Sequence, residues 1–262
     1  MRTAAGQTRE EQAERMKYYG ITDRGLVRKN NQDSYVIATN RGGDIFAIVA
    51  DGIGGNLGGD IASRMAVSYF SKVFSETDAF TSEAKTKEWI ARHVDEANRQ
   101  IFEYGAKRPG LKGMGTTLCA AMITKKGIFI VNIGDSRAYT WHKESLKQIT
   151  MDHTLVNDML MHGQLTPEEA ANFPRRNVLT NALGVWENVR SDIDVHHEKM
   201  NGILLCSDGL HGYVSEARIA SLVLNTEMDP TQRARKLLKA ALDAGGYDNV
   251  TIVLIEFSGE NE

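Results

Sequence analysis

The chain has 262 residues, of which 42% are hydrophobic and 25% charged, and its formal net charge is −3. This composition is that of an ordinary globular protein with one large domain or two small ones. The absence of a basic excess argues against a nucleic-acid partner. Two cysteines, Cys119 and Cys206, lie within apolar runs and predict buried thiols in a reducing compartment, not a disulfide framework.

The first 16 residues are polar and charged, and they predict a tail that precedes a single folded domain over residues 17–262. The tail has no apolar signal region. No run in the chain reaches the ~18–20 apolar residues that a membrane span needs. We therefore expect a cytoplasmic protein without a membrane anchor or membrane partner, and a monomer by default.

Strands and paired helices dominate the pattern that follows. Apolar runs predict strands over 17–22, 33–39, 44–50, 116–124, 127–133, 136–142, 190–196, 202–206 and 249–257. Apolar residues at helical spacing predict helices over 60–73, 83–104, 155–160, 215–224 and 229–244, with a further short helix after Thr166. Because helices do not alternate one-for-one with strands, the pattern favours a layered α+β architecture over a doubly wound parallel sheet.

Local signals mark several element ends. Asp60 is a candidate N-cap for the first helix, and Thr166 and Asp229, each followed by proline, are candidate N-caps for two others. The residues 125–127, Lys-Lys-Gly, suit a hairpin between two strands. The stretch from 152 to 184 breaks the strand pattern and predicts an inserted subdomain beside the sheets.

Four aspartates stand at the ends of apolar runs, namely Asp51, Asp135, Asp208 and Asp248. A carboxylate at a strand end lies at the rim of a sheet, where it meets water instead of being buried unpaired. If these rims converge, the like charges repel one another unless a cation lies between them. With Asp33 and the carbonyl of Gly52 they form an all-oxygen set, which suits Mg²⁺ or Mn²⁺.

Two such cations can activate a shared water and clamp a phosphoryl oxygen. Hydrolysis of a phosphate monoester needs about 20 kcal/mol of barrier lowering, and a single general acid supplies only ~10²–10⁴-fold. An anionic substrate also needs donors, and Arg28 lies five residues before Asp33. Arginine binds phosphate oxygens in a bidentate fashion, although a surface salt bridge is the commoner role of a lone arginine.

These residues occur within motifs that resemble the metal-dependent protein Ser/Thr phosphatases of type 2C, bacterial branch. The resemblance runs from about Tyr18 to Phe257. The matching motifs, in the family's order, are Arg28-x-x-Asn31-Gln32-Asp33, Val49-Ala50-Asp51-Gly52-Ile53-Gly54-Gly55, Gly113-Met114-Gly115-Thr116-Thr117, Asn132-Ile133-Gly134-Asp135-Ser136-Arg137, Asp152-His153, Asn177-Val178-Leu179-Thr180, Cys206-Ser207-Asp208-Gly209-Leu210 and Gly246-Tyr247-Asp248-Asn249-Val250-Thr251.

The resemblance implies a four-layer α-β-β-α sandwich of two mainly antiparallel sheets flanked by helix pairs, with a small flap over about 153–183. It also implies two core Mn²⁺ or Mg²⁺ ions and leaves the occupancy of a third open. By resemblance, the metal-site residues are Asp33, Asp51, Gly52, Asp135, Asp208 and Asp248, with Asp135 and Asp208 forming the third-ion site. Arg28 is implied as the residue that binds the substrate phosphate, and Asp33 and Asp51 as further catalytic residues.

The implied activity is hydrolysis of phosphoserine and phosphothreonine in proteins by a metal-activated bridging water, in opposition to a cytoplasmic Ser/Thr kinase. The alternative is a catalytically silent phosphoprotein-binding protein of the same fold. Two positions depart from relatives: Ile53 follows Asp51-Gly52, with no histidine in the loop to act as general acid, and Asn181 stands where many bacterial relatives have arginine. Of the seven histidines, His153 is the best candidate near the site, but we expect a structural hydrogen bond from it, and we expect a structural ion pair from Arg137.

Overall fold

Two five-stranded antiparallel sheets form the centre of the protein. The computed structural model describes residues 16–53, 55–174 and 177–257, without the side chains of 55–57 and 171. Except for Met16, where the first strand begins, the predicted tail over residues 1–16 lies outside the described residues.

The strands, numbered in chain order, are β1 (Met16–Asp23), β2 (Ser34–Thr39), β3 (Ile45–Ala50), β4 (Gly52–Ile53), β5 (Gly115–Thr116), β6 (Leu118–Thr124), β7 (Gly127–Ile133), β8 (Arg137–His142), β9 (Ser145–Gln148), β10 (Asp192–His196), β11 (Gly202–Cys206) and β12 (Val250–Phe257). The first sheet has the order β1-β12-β11-β8-β9, and the second has the order β10-β7-β6-β3-β2. A small third sheet pairs β4 with β5.

The described helices are α1 (Gly55–Ser75), α2 (Glu83–Ala106), α3 (Leu155–Met161), α4 (Pro167–Ala171), α5 (Asp208–His211), α6 (Glu216–Val223) and α7 (Pro230–Asp243), with a 3₁₀ turn at Pro109–Leu111. Thr166 and Asp229 cap α4 and α7 through reciprocal capping boxes, as their positions predict. Two-residue connections form tight hairpins between β6 and β7 and between β8 and β9.

Three apolar layers hold the sandwich together, and alternation along β3 shows how they arise. Phe46 and Ile48 point into the layer beneath α1 and α2, whereas Ala47 and Val49 point into the layer between the sheets. A third layer lies between the first sheet and the helices α6 and α7. The predicted α-β-β-α sandwich is therefore confirmed, because every central strand is buried on both faces.

The predicted start of the first helix is wrong. Asp60 does not cap it: α1 begins at Gly55, and Asp60 Oδ2 accepts a hydrogen bond at 2.6 Å from Arg64 Nη2, one turn later. Glycines lower helix propensity, but Gly58 and Gly59 allow this turn to approach Met114 and Gly52 closely. Tertiary packing therefore extends the helix beyond its local signal.

Three short strands, β9, β4 and β5, were not predicted as separate elements. Strand β9 is short and mostly polar, so it lacks an apolar run, yet it pairs with β8 through a turn in which Lys143 adopts a φ of 53°. The ladder between β4 and β5 is two residues long and joins distant segments. None of the described helices is both long enough and apolar enough to cross a lipid bilayer.

Candidate active site

The antiparallel registers bring the predicted site residues to one end of the sandwich. Ser34, directly after Asp33, pairs with Ala50, directly before Asp51. In the first sheet Cys206 pairs with both Ile252 and Arg137. The end of β11, the beginning of β12 and the beginning of β8 therefore lie side by side.

A cleft of about 530 Å³ opens at this end. Its walls include four of the predicted aspartates together with Arg28 and Gly52, and the aspartates are Asp51, Asp135, Asp208 and Asp248. Asn177 and Leu179, from the segment predicted as a flap, also line the cleft. Asp33 lies behind the cleft and is buried.

Backbone and hydroxyl contacts hold Asp51 in place. Its N–H donates to Thr117 Oγ1 at 2.9 Å, and its carbonyl accepts from Thr117 N at 2.8 Å and from Thr116 Oγ1 at 2.9 Å. The next residue must be glycine, because a Cβ at Gly52 would lie 2.2 Å from the carbonyl oxygen of Gly59. This close approach keeps the Asp51-Gly52 turn directly beside the start of α1.

Asp33 is held from one side only. Its Oδ2 accepts hydrogen bonds at 2.7 Å from both Ser207 Oγ and Thr251 Oγ1, and the Ser207 hydroxyl in turn accepts from Thr251 N at 2.9 Å. Its Oδ1 is buried without a hydrogen-bond partner. A buried carboxylate oxygen without a partner is costly, so this atom is suited to contact a ligand or an ordered water.

Asn249 joins the loops on either side of the cleft. Its Oδ1 accepts from Gln32 N at 2.8 Å, and its Nδ2 donates to the carbonyls of Arg24 and Asn30 at 2.8 and 2.9 Å. Its own N–H donates to Asp248 Oδ1 at 2.9 Å. One side chain therefore fixes the Arg28 loop relative to Asp248.

Arg28 and Asp248 are directly paired. The guanidinium donates from Nη2 to Asp248 Oδ2 at 2.7 Å, and the arginine side chain is 53% exposed. Burial lowers the pKa of Arg28, but the hydrogen bond and the charges of Asp248, Asp208 and Asp51 outweigh this effect and raise it overall. The guanidinium therefore faces the carboxylates and remains accessible from the cleft.

The carboxyl groups perturb one another strongly. Burial, with the charges of Asp208 and Asp248, raises the pKa of Asp33 to about 7, although its two hydroxyl partners act in the opposite direction. Burial, with neighbouring carboxylates, also raises the pKa of Asp135 to about 8 and of Asp208 to about 6. The pKa of Asp51 lies well above its ordinary value, first because of burial and then because of four neighbouring aspartates.

These observations fit a divalent cation. Side chains in the described part of the chain do not by themselves form a ready group of three or more acidic, imidazole or thiol ligands. Asp208 and Asp51 share a hydrogen bond, and Asp248 is engaged by Arg28. A hard cation would nevertheless fit this site. It would contact the unpartnered Asp33 oxygen, relieve the repulsion between the carboxylates and find only oxygen donors.

The two histidines nearest the cleft are engaged in structural contacts. His153 is buried; its Nε2 lies 2.9 Å from Asp192 Oδ2, and its Nδ1 accepts from Gly134 N at 3.2 Å. His211 Nε2 lies 3.0 Å from the carbonyl oxygen of Asp135, and burial lowers its pKa to about 4. No histidine is among the described residues that line the cleft.

Asn181 and Arg137 support the surroundings of the cleft. Asn181 Nδ2 lies 2.8 Å from His153 Nδ1 and donates to the carbonyl of Arg190 at 2.6 Å. Arg137 donates from Nε and Nη2 to both oxygens of Asp152, at 2.7–3.1 Å, which agrees with the structural ion pair expected of it. Both residues therefore brace the segment that begins the predicted flap.

Sequence reasoning assigned no role to the hydroxyls that support the carboxylates. Ser207 and Thr251 hold Asp33, and Thr117 holds Asp51 and lies 2.8 Å from Ser136 Oγ. All four occur inside the motifs quoted above. A serine or threonine beside each acidic motif was the signal that could have identified them. The spacing in the sequence, however, does not show which aspartate each hydroxyl contacts.

The chain matches the Protein phosphatase 2C family model over residues 27–244. It is 39% identical over 236 residues to a Serine/threonine phosphatase stp of Listeria welshimeri, with 90% of this chain and 93% of that protein covered. It is 36% identical over 242 residues to the Protein phosphatase PhpP of Streptococcus pneumoniae, with 92% and 97% covered. The crystal structure of Serine/threonine phosphatase Stp1 from Staphylococcus aureus superposes with a TM-score of 0.87 at 32% identity, with 93% and 96% covered.

Proposed function

The chain belongs to the protein phosphatase 2C family, and on that premise we propose that it hydrolyses phosphoserine and phosphothreonine in proteins. The observation that supports this most is the convergence of four aspartates and one arginine on a single cleft. Such a site combines a negative pocket for cations with a donor for an anion. The family is metal-dependent, which agrees with this combination.

We propose two core ions, Mn²⁺ or Mg²⁺, and a site beside them that can take a third. Asp51, Asp208, Asp248 and the carbonyl of Gly52 would hold the core pair, Asp33 would orient water bound there, and Asp135 with Asp208 would hold the third. When bound, such ions would lower the pKa of a water held at these residues and polarise the phosphoryl oxygens, so that this water would be the nucleophile and no covalent enzyme intermediate would be needed.

The side chains around the cleft would orient the substrate phosphate and hold the carboxylates in place. Arg28 presents its guanidinium to the cleft, where it would bind two phosphate oxygens and align phosphorus with the attacking water. The hydroxyls of Ser207 and Thr251 prevent Asp33 from turning, and Thr117 does the same for the Asp51 backbone. Because no described histidine lines the cleft and Ile53 occupies the loop, we assign no side chain as the general acid.

We further propose that residues 17–262 form one catalytic domain, with residues 153–183 as a flap over the cleft. The ion pair from Arg137 to Asp152 and the hydrogen bond of His153 to Asp192 support a fixed base for this segment. We propose that the protein is a cytoplasmic monomer and that it reverses the action of a Ser/Thr kinase. Phosphorylated proteins are then its partners.

Hydrolysis of phosphothreonine and phosphotyrosine peptides of the same sequence, with and without Mn²⁺, tests this function. We expect release of phosphate to depend on Mn²⁺, and we expect kcat/KM to be much higher for the phosphothreonine peptide than for the phosphotyrosine peptide. Binding of that peptide with no turnover at any divalent-ion concentration would establish the silent phosphoprotein-binding alternative instead. Nothing in the site favours that alternative, because all five predicted aspartates are present.

A further inference from the structure

Four exposed apolar or aromatic side chains stand together beside the cleft, and we refer to them as the apolar rim. They are Leu26, Val27, Tyr213 and Tyr247, with exposures of 66%, 60%, 42% and 53%. Single exposed apolar residues are common on protein surfaces, but a group of them at a cleft is characteristic of interaction sites. Tyrosine in particular is enriched at interfaces.

Contacts within the rim show that its members form one surface. The N–H groups of Leu26 and Val27 both donate to the carbonyl of Gly246, at 2.8 and 3.2 Å. The Leu26 side chain packs over Gly246, since a Cβ there would lie 2.8 Å from Leu26 Cγ. The rings of Tyr247 and Tyr213 pack together with centroids 5.5 Å apart. The rim is therefore assembled from three distant segments and is already ordered.

The rim is continuous with the proposed active site. Val27 lines the catalytic cleft next to Arg28, and Tyr213 lines an adjoining cavity of about 430 Å³ that shares Asp135 and Asp208 with the cleft. Leu26 precedes Arg28 by two residues, and Tyr247 directly precedes Asp248. An extended chain advances ~3.3–3.6 Å per residue, so a peptide whose phosphate lies at Arg28 reaches the rim within about two residues.

We propose that the apolar rim binds a bulky apolar or aromatic side chain next to the phosphorylated residue of a protein substrate, and so selects among phosphorylation sites. This inference rests on the proposed phosphatase function and adds a substrate preference to it. The rim is pre-organised by backbone hydrogen bonds and ring packing, so binding a substrate side chain there costs little ordering of the enzyme.

The test compares two phosphothreonine peptides that differ only at the two positions flanking the phosphorylated residue. The apolar peptide has leucine or tyrosine at both positions, and the other peptide has glycine at both. For the wild-type protein with Mn²⁺ we expect kcat/KM to favour the apolar peptide by about tenfold, a size typical of one apolar group in a hydrophobic pocket. In Leu26→Ser and in Tyr247→Ser this ratio should fall towards one. The ratio is read within each protein, so a general loss of activity does not obscure it.

Tyr18→Ser serves as the matched control, because Tyr18 is an exposed tyrosine on β1, paired with Ile255 far from the strand end that carries the site. It should keep the wild-type ratio. An equal kcat/KM for both peptides in the wild-type protein, or a ratio unchanged in both rim variants, would overturn the inference and leave the phosphatase function standing. Failure to hydrolyse p-nitrophenyl phosphate and both peptides would instead overturn the proposed function.

A second copy of the chain is the other occupant that the experiment distinguishes. If the rim joined two copies, the wild-type protein would sediment as a dimer and Leu26→Ser as a monomer, and the substrate role would be refuted. A monomeric wild-type protein with a tenfold peptide preference supports the proposal. If a rim variant fails to fold, the comparison of the two peptides with the wild-type protein still tests the proposal.

Discussion

Arg28 donates to Asp248 at 2.7 Å, although 220 positions separate the two residues in the chain. One was predicted to bind phosphate and the other to bind metal. Asn249 holds the loops of both together through three side-chain hydrogen bonds. The proposed phosphate and metal sites therefore share an atom-to-atom contact, and a change at one is expected to affect the other.

Replacing Arg28 should weaken substrate binding more than chemistry. Arg28→Ala removes a donor that contacts phosphate in the ground state as well as in the transition state, so we expect KM for a phosphopeptide to rise about tenfold with a smaller change in kcat. Steady-state kinetics at saturating Mn²⁺ measures both. The same variant frees Asp248 from an exposed ion pair worth at most about 1 kcal/mol, so Mn²⁺ should bind up to about fivefold more tightly.

Arg24→Ala is the control for both effects. Arg24 is exposed on the same loop and contacts only the carbonyl of Lys29, at 3.4 Å, among the hydrogen bonds described for its side chain. Its removal changes the net charge by the same amount. An unchanged KM in Arg28→Ala, or an equal rise in Arg24→Ala, would remove Arg28 from phosphate binding.

Removing a cleft carboxylate should abolish turnover while the fold is retained. For Asp208→Ala and Asp51→Asn we expect kcat to fall by at least about 10³-fold, because metal assistance supplies most of the required barrier lowering. Far-ultraviolet circular dichroism should match the wild type. Asp194→Asn, an exposed aspartate on β10, is the matched control and should keep its activity. Activity retained in purified Asp208→Ala would contradict the site.

Divalent cations should stabilise the folded protein. Burial, and then mutual repulsion, raises the pKa of the cleft aspartates Asp51 and Asp208, and a cation between them relieves the repulsion. At an ion concentration of 100 Kd the stabilisation is about 2.7 kcal/mol, which corresponds to a rise in Tm on the order of 5–10 °C. Thermal unfolding with Mn²⁺ and with a chelator measures it. A shift of the same size in Asp208→Asn would show that the ions bind elsewhere.

Gly52 should not tolerate a side chain. Gly52→Ala places a Cβ 2.2 Å from the carbonyl oxygen of Gly59 and 2.6 Å from that of Gln32, and neither backbone atom can move without shifting α1 or the Asp33 loop. We expect loss of activity and a lower Tm. Gly110→Ala is the control, because nothing lies within 4 Å of a Cβ at that position. Equal Tm values for the two variants would refute this reading of the turn.

Ser207 should contribute to stability through Asp33. Ser207→Ala leaves the buried Thr251 N–H without that acceptor and removes one of two donors to Asp33 Oδ2. The expected loss in the free energy of unfolding is about 1–3 kcal/mol, measured by denaturant titration. Ser221→Ala, which removes only a hydrogen bond to the carbonyl of Arg218 on an exposed part of α6, should cost much less. Similar losses would mean that the hydroxyl network does not stabilise the site.

Much of the architecture follows from local pattern. The apolar run of β3 predicts a strand buried on both faces, and the Thr166 and Asp229 caps predict where α4 and α7 begin, because caps act within one helical turn. Strand β9 and the early start of α1 were missed, since pairing with β8 and the close packing of Gly58 and Gly59 depend on distant residues.

The same division applies to the site. The sequence by itself determined which carboxylates end strands and that their oxygens suit a hard cation, because ligand chemistry and strand periodicity are local properties. Only the tertiary structure decided that Arg28 pairs with Asp248, that Ser207 and Thr251 hold Asp33, and that Leu26 packs over Gly246. These contacts join segments up to 220 positions apart, and strand register, which sets them, is a property of the whole sandwich.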